Sequence, residues 1–123
     1  MIRIKRIYDA RSRNDGYRAL VDRLWPRGIK KEEVAIDIWL KDAAPSNELR
    51  QWFNHEPKKW GDFKKRYFVE LEHKQEILGP IIAKIEDGVT LLYSAKDQQH
   101  NNAVALKEYL EKKTWASDET SLD

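Results

Sequence analysis

The 123-residue chain has no cysteine, no long apolar run and no strong excess of either charge. Without cysteine there is no disulfide framework and no thiolate to act as nucleophile or metal ligand. No apolar stretch approaches the roughly 20 residues that a bilayer-spanning helix needs. The amino terminus, Met1-Ile2-Arg3-Ile4-Lys5-Arg6, alternates with charge instead of leading into an apolar segment, so no secretory signal is expected. These absences suit a cytoplasmic protein. The formal net charge is only +2 and the sequence pI about 8.8, too mild for generic adhesion to nucleic acid. Histidine is scarce as well: His55, His73 and His100 show no metal-ligand spacing and no accompanying carboxylate cluster. A structural metal is therefore not expected, nor any other cofactor.

What is present is enough chain for one core, with 41% hydrophobic and 36% charged residues. Ile2–Tyr8 alternates at first and predicts a strand. Asp9–Gly16 is polar, with Asn14-Asp15-Gly16 as its turn signal. Arg18–Trp25 predicts a second strand, closed by Pro26-Arg27-Gly28. Val34, Ile36, Ile38 and Leu40 alternate, which predicts a third strand over Val34–Leu40 with those residues on one face. Ser46 is a good N-cap for a helix carrying Leu49, Trp52 and Phe53. Pro57 can open the next helix, in which Trp60, Phe63, Tyr67 and Leu71 recur at helical spacing. Gly79-Pro80 interrupts the apolar face of Ile77, Leu78, Ile81, Ile82 and Ile85, predicting a kinked helix or two joined end to end. Val89–Ala95 is nearly continuous in apolar character, as a central strand covered on both faces would be.

A final amphipathic helix is predicted over Asn102–Lys113, with Ala103, Leu106 and Leu110 inward. Residues 114–123 show no pattern and read as a flexible tail. The sum is a single α/β domain over residues 1–113, three layers deep, with a small, mostly parallel sheet flanked by helices. The helical crossover from the third strand to Val89–Ala95 favours parallel pairing there.

Ligands of open α/β sheets bind beyond the carboxyl ends of the strands. Three such exits carry unusual residues. The second strand offers Arg23, Trp25 and Arg27; the third offers Lys41 and the helix start at Ser46. The fourth offers Tyr93, Asp97, His100 and Asn101. Guanidinium forks, an ammonium and free helix N–H groups favour an anion, and an indole supplies a flat face. Asp97 and His100 are the candidate acid–base pair, because imidazole titrates near neutrality. Ser94 lacks the glycine-flanked elbow of a hydrolase nucleophile.

The bland alternatives have weight. Trp25 reads more readily as a core anchor than as a ligand face, and Trp52, Phe53, Trp60, Phe63 and Tyr67 read as core. His55 reads as a turn residue before Pro57, and Asp97 as a helix cap. The leading expectation is a domain that binds a small phosphate- or carboxylate-bearing ligand, with enzymatic activity left open. Its rivals are a nucleic-acid binder using Lys58, Lys59, Lys64, Lys65 and Arg66, and a protein-interaction module with aromatic anchors.

Several stretches also carry a family resemblance: Leu20–Gly28 (LVDRLWPRG), Trp39–Ser46 (WLKDAAPS), Leu49–Phe53, and Val89–Ala95 (VTLLYSA) followed by Lys96-Asp97 and Asn101. Together they resemble the YeaO-like family of bacterial proteins, a branch of the domain of unknown function 488, over roughly residues 1–113. The resemblance implies a small cytoplasmic α/β protein and no particular activity. Other branches resemble one another in a Cys-His-Arg cluster after the last strand. Here that region reads Gln98-Gln99-His100-Asn101, so thiol chemistry does not transfer. Some relatives are labelled transcriptional regulators, yet no helix-turn-helix signature is visible in this chain.

Overall fold

A computed structural model describes residues 1–121, with side chains through Lys113. Four parallel strands form one sheet: β1 (Ile2–Arg6), β2 (Tyr17–Leu20), β3 (Ile38–Trp39) and β4 (Val89–Tyr93), in the spatial order β1-β4-β2-β3. β4 takes the centre because its side chains suit no other place. All five of its residues are buried, and a strand between two neighbours, covered on both faces, needs apolar groups pointing both ways. Ile2 pairs with Val89 on one side and Tyr17 with Val89 on the other.

The helices α1 (Asn47–Phe53), α2 (Trp60–Glu72), α3 (Gln75–Ile82) and α4 (Asn102–Ser121) pack on one face. The larger core lies there. Ala19, Val21, Leu91 and Tyr93 from the sheet meet Phe53, Phe63, Tyr67, Leu71, Leu78 and Leu106. The aromatic stripe of α2 stacks as its spacing requires, with Phe53 and Phe63 centroids 4.5 Å apart and Phe63 and Tyr67 at 5.8 Å. The layer on the opposite face is an irregular segment with a single 3-10 turn, Lys31–Glu33. It covers Ile7, Leu20 and Leu92 with Trp25, Ile29, Val34, Ile36 and Trp39.

Several boundaries differ from the sequence reading. β1 stops at Arg6 and β2 at Leu20, so Trp25 lies beyond any strand. β3 holds two residues, not the seven of Val34–Leu40. Asp37 explains the loss: its amide donates to the Arg18 carbonyl while its carboxylate accepts from the Arg18 amide, both at 2.8 Å. The alternating run is thereby divided. Ile38 and Leu40 join the helical core, whereas Val34 and Ile36 pack on the other face. β3 and β4 run in the same direction but do not pair, because β2 lies between them.

The helical break falls at His73–Lys74, ahead of Gly79-Pro80, and Pro80 sits inside α3. α4 continues in backbone to Ser121. The flexible tail expected over 114–123 involves side chains outside the described residues. At the amino end of the sheet, Gly16 (φ +64°) lies against the Gly88 carbonyl, where an added Cβ would collide with backbone. The Tyr17 amide donates to that carbonyl at 3.0 Å.

Candidate functional site

β2 and β4 end side by side, and the segments leaving them enclose a cleft of about 560 Å³. That size suits a small-molecule ligand. Its floor is the exit of β2. Asp22 accepts hydrogen bonds from the Ser94 amide (2.9 Å) and hydroxyl (2.8 Å), which ties the two strand ends together. Asn102 donates to the Val21 carbonyl at 2.8 Å and brings the start of α4 to the same place.

One wall is the turn Arg23–Arg27. Arg23 reaches the Pro45 carbonyl through Nη2 at 3.4 Å, while its Nε is buried with no hydrogen-bond partner among the described residues. A buried donor left unpaired costs on the order of 1–3 kcal/mol. The facing wall is the last turn of α1, with Arg50 and Gln51, and the two residues that follow it, Asn54 and His55. Asn54 (φ 47°) and His55 (φ 55°) are consecutive left-handed residues without being glycine. That conformation is costly for a side-chain-bearing residue, and such strain gathers at functional sites. His100 completes the lining. Its Nδ1 lies 3.0 Å from Asp97 Oδ2, and its ring meets Trp60 edge-on at 5.4 Å.

The electrostatic balance is one-sided. Arg23, Arg27 and Arg50 line the cleft against a single carboxylate, Asp22. Among the described residues none of these guanidinium groups forms an ion pair. The walls are firmly held. Tyr67 donates to the Ala43 carbonyl at 2.6 Å and Lys74 to the Ala44 carbonyl at 3.1 Å, which fixes the backbone ahead of Pro45. Burial raises the Tyr67 phenol, with the Glu70 and Asp22 charges adding to the effect, so it stays a neutral donor.

The site residues expected from sequence separate into two groups. Arg23, Trp25, Arg27, His100 and Asn101 meet in the cleft. Trp25 is nevertheless committed elsewhere: its ring packs edge-on against Trp39 at 5.3 Å, and its indole N–H donates to the Ile29 carbonyl at 2.6 Å. Neither it nor Arg23 sits on a strand, because β2 has already ended at Leu20. Asn101 caps α4, donating to the Asp97 carbonyl (2.9 Å) and accepting from the Val104 amide (3.0 Å).

Lys41, Ser46, Tyr93 and Asp97 lie outside the lining. The Lys41 ammonium sits over Trp39, 5.6 Å from the ring centroid. Ser46 does cap α1 at Leu49, but Glu70 takes both its amide (2.8 Å) and its hydroxyl (2.6 Å), so a carboxylate already occupies that helix start. Tyr93 is buried, which raises its phenol pKa. Asp97 accepts from the Gln99 and His100 amides and from the His100 ring, and these bonds lower its pKa. Its backbone bonds are those of a turn cap, while the ring bond orients His100. Sequence reasoning missed Asp22, Arg50, Gln51, Asn54 and His55 as cleft residues. Only Arg50 and Gln51 carried a sequence signal: they occupy the polar side of a helix whose other side is Leu49, Trp52 and Phe53, whereas Asn54 and His55 follow its end.

The profile of the Inactive DUF488-N3 subclade matches residues 1–122. The chain belongs to that subclade. Among similar proteins, the "Uncharacterized protein YeaO" of Escherichia coli (strain K12) is 47% identical over 112 residues, covering 89% of this chain and 96% of its own length. The "Uncharacterized protein Rv3073c" of Mycobacterium tuberculosis (strain ATCC 25618 / H37Rv) is 47% identical over 70 residues, covering 57% of this chain and 59% of its own length. No solved structure matches. The YeaO alignment spans enough of the DUF488-N3 fold to include most of the sheet and cleft. Among the described residues no helix is long and apolar enough to cross a membrane.

Proposed function

We propose that the cleft binds a small phosphate- or carboxylate-bearing ligand and holds it without turning it over, in the cytoplasm of a bacterial cell. The observation that carries this reading is the set of three guanidinium groups, Arg23, Arg27 and Arg50, gathered in one cleft without a carboxylate partner among the described residues. Cations held close together repel one another, and Arg23 also leaves a buried Nε unpaired. An anion relieves both costs and finds donors whose backbone supports are already fixed. The word "inactive" in the subclade's description favours binding over catalysis. Under this reading His100, oriented by Asp97, is a ligand contact. Its Nε2 has no partner among the described residues.

The nucleic-acid alternative is weaker. Of its candidate lysines, Lys64 pairs with Glu108 at 3.0 Å, and Lys59 pairs with Glu56 at 2.6 Å while resting over Trp52. The test is a melting series with inorganic phosphate and with a nucleoside monophosphate. The expected result is a saturable rise in Tm for the wild-type chain that disappears in Arg23→Met. A rise that persists unchanged in Arg23→Met, Arg27→Met and Arg50→Met would remove the cleft from consideration.

A further inference from the structure

A second cleft, of about 450 Å³, opens on the sheet face away from the helices. The floor is Arg18. This residue is only 3% exposed, and its bonds are unevenly distributed. Nε donates to the Ala35 carbonyl and Nη1 to Asp15, while Nη2 has no partner among the described residues. Asp15 is the sole ion-pair partner, among the described residues, of both Arg18 and Lys5, and its two oxygens are divided between them. Asp37 accepts from the Arg18 amide and not from its guanidinium. The Nη2 edge of a guanidinium that lines the cleft is therefore left to donate a charge-assisted bond to an anion.

The walls and mouth narrow the kind of anion. Ile7, Ile29 and Val34 supply an apolar lining, which suits a short hydrocarbon tail. Arg11 stands with two carboxylates, Asp9 and Glu33, in the same lining. A second negative charge on the ligand would meet those carboxylates, which selects against a dianion such as phosphate. We propose that this cleft is a binding site for a small monocarboxylate with a short branched tail, its carboxylate on Arg18 and its tail against Ile7, Ile29 and Val34. The site is separate from the cleft at the strand ends, and nothing in its argument depends on that one.

Isovalerate is a suitable probe, with isovaleramide as its uncharged twin. In amide-resolved NMR of the full chain, isovalerate should saturably shift the Arg18 Nε–H and the Val34 and Ala35 amide resonances. Isovaleramide should bind at least about tenfold more weakly, because a charge-assisted bond is lost. Ala10→Trp narrows the cleft and keeps the Arg18 guanidinium, because Ala10 is an exposed lining residue whose printed bond is made by its carbonyl, to Lys5. That variant should lose the response with its melting temperature unchanged, whereas Arg23→Met should retain it. Equal binding of isovaleramide, a stronger response to inorganic phosphate at the same resonances, or an undiminished response in Ala10→Trp would each overturn the proposal.

Discussion

Arg18 and Arg23 are close neighbours in the chain, and the fold treats them in opposite ways. Arg18 stands on β2 and is built into a buried network. Its guanidinium reaches Asp15 and Ala35, Lys5 shares the same carboxylate at 2.8 Å, and Thr90 binds the Asp15 carbonyl at 2.7 Å. Arg23 comes after the strand has ended and has one long bond, 3.4 Å to a carbonyl, and an orphan Nε. The first holds a loop against the sheet through Nε and Nη1 and leaves only Nη2 for a ligand; the second is held ready by a rigid turn with most of its donors unused. The partner inventory, not the residue type, decides how much of an arginine is architecture and how much is left for a ligand.

The strongest way to break that contrast is Asp15→Ala. Removing the carboxylate leaves Lys5 and Arg18 together without their counter-charge, and about 3–5 kcal/mol of stability should be lost in urea titration. A loss below about 1 kcal/mol would mean that the pair is no more architectural than a surface bridge.

Acid probes the same carboxylate more gently. Burial alone would raise the Asp15 carboxyl, but the Lys5, Ser12 and Arg18 donors outweigh it and hold the pKa at about 2 against an ordinary 3.8. A depressed carboxyl pKa stabilises the fold above its unfolded value, and that stabilisation is lost as pH falls toward the folded value. Between about pH 4 and pH 2 the chain should lose about 2 kcal/mol attributable to this group. Asp15→Asn should lack that part of the slope; an unaltered pH profile would assign it elsewhere.

Ser46 belongs on the architectural side of the comparison, its amide and hydroxyl both taken by Glu70. Ser46→Ala should cost about 1 kcal/mol in a melting curve and leave phosphate affinity unchanged. A loss of affinity at constant stability would return it to the site. The smallest effect on stability is expected at the cleft itself. Arg23→Met and Arg27→Met should stay within about 0.5 kcal/mol of wild type, with Arg23→Met slightly stabilised if its orphan donor is a real cost. A large loss in either would place these residues with Arg18 instead.

The parts of this arrangement that the sequence made legible are those governed by local pattern. Val89–Tyr93 reads as a buried strand because its apolar residues run without interruption, and all five are buried. Ser46 reads as a cap, Pro57 as a helix start, and Phe63, Tyr67 and Leu71 as one buried stripe. The misreadings came where tertiary partners override pattern. Nothing local to Val34–Leu40 shows that Asp37 will clasp Arg18 and divide the alternating run between two faces. Arg23 and Trp25 read as strand residues only while β2 was taken to reach Trp25; it ends at Leu20. Arg50 and His55 arrive at the cleft from another element, and Glu70 reaches Ser46 from α2. The anion character of the strand exits was visible in the residue types; which cations had already found partners was not.

The central position of β4 has a consequence for how the chain must come together. β1 pairs with β4 alone, Ile2 against Val89, and β2 meets β1 only through it. During synthesis the first strand therefore emerges with no partner and waits while three helices are made. The sheet can form only by a late insertion between two strands already present. Long loops must close before any of these pairings stabilise the chain, so folding should be slow for a domain of this length, with an aggregation-prone interval while the edges of β1 and β2 stand open. A fragment ending before Val89 should have helices and no more of the sheet than the short β2–β3 pairing, and supplying the Val89–Tyr93 strand in trans is the step that should complete it.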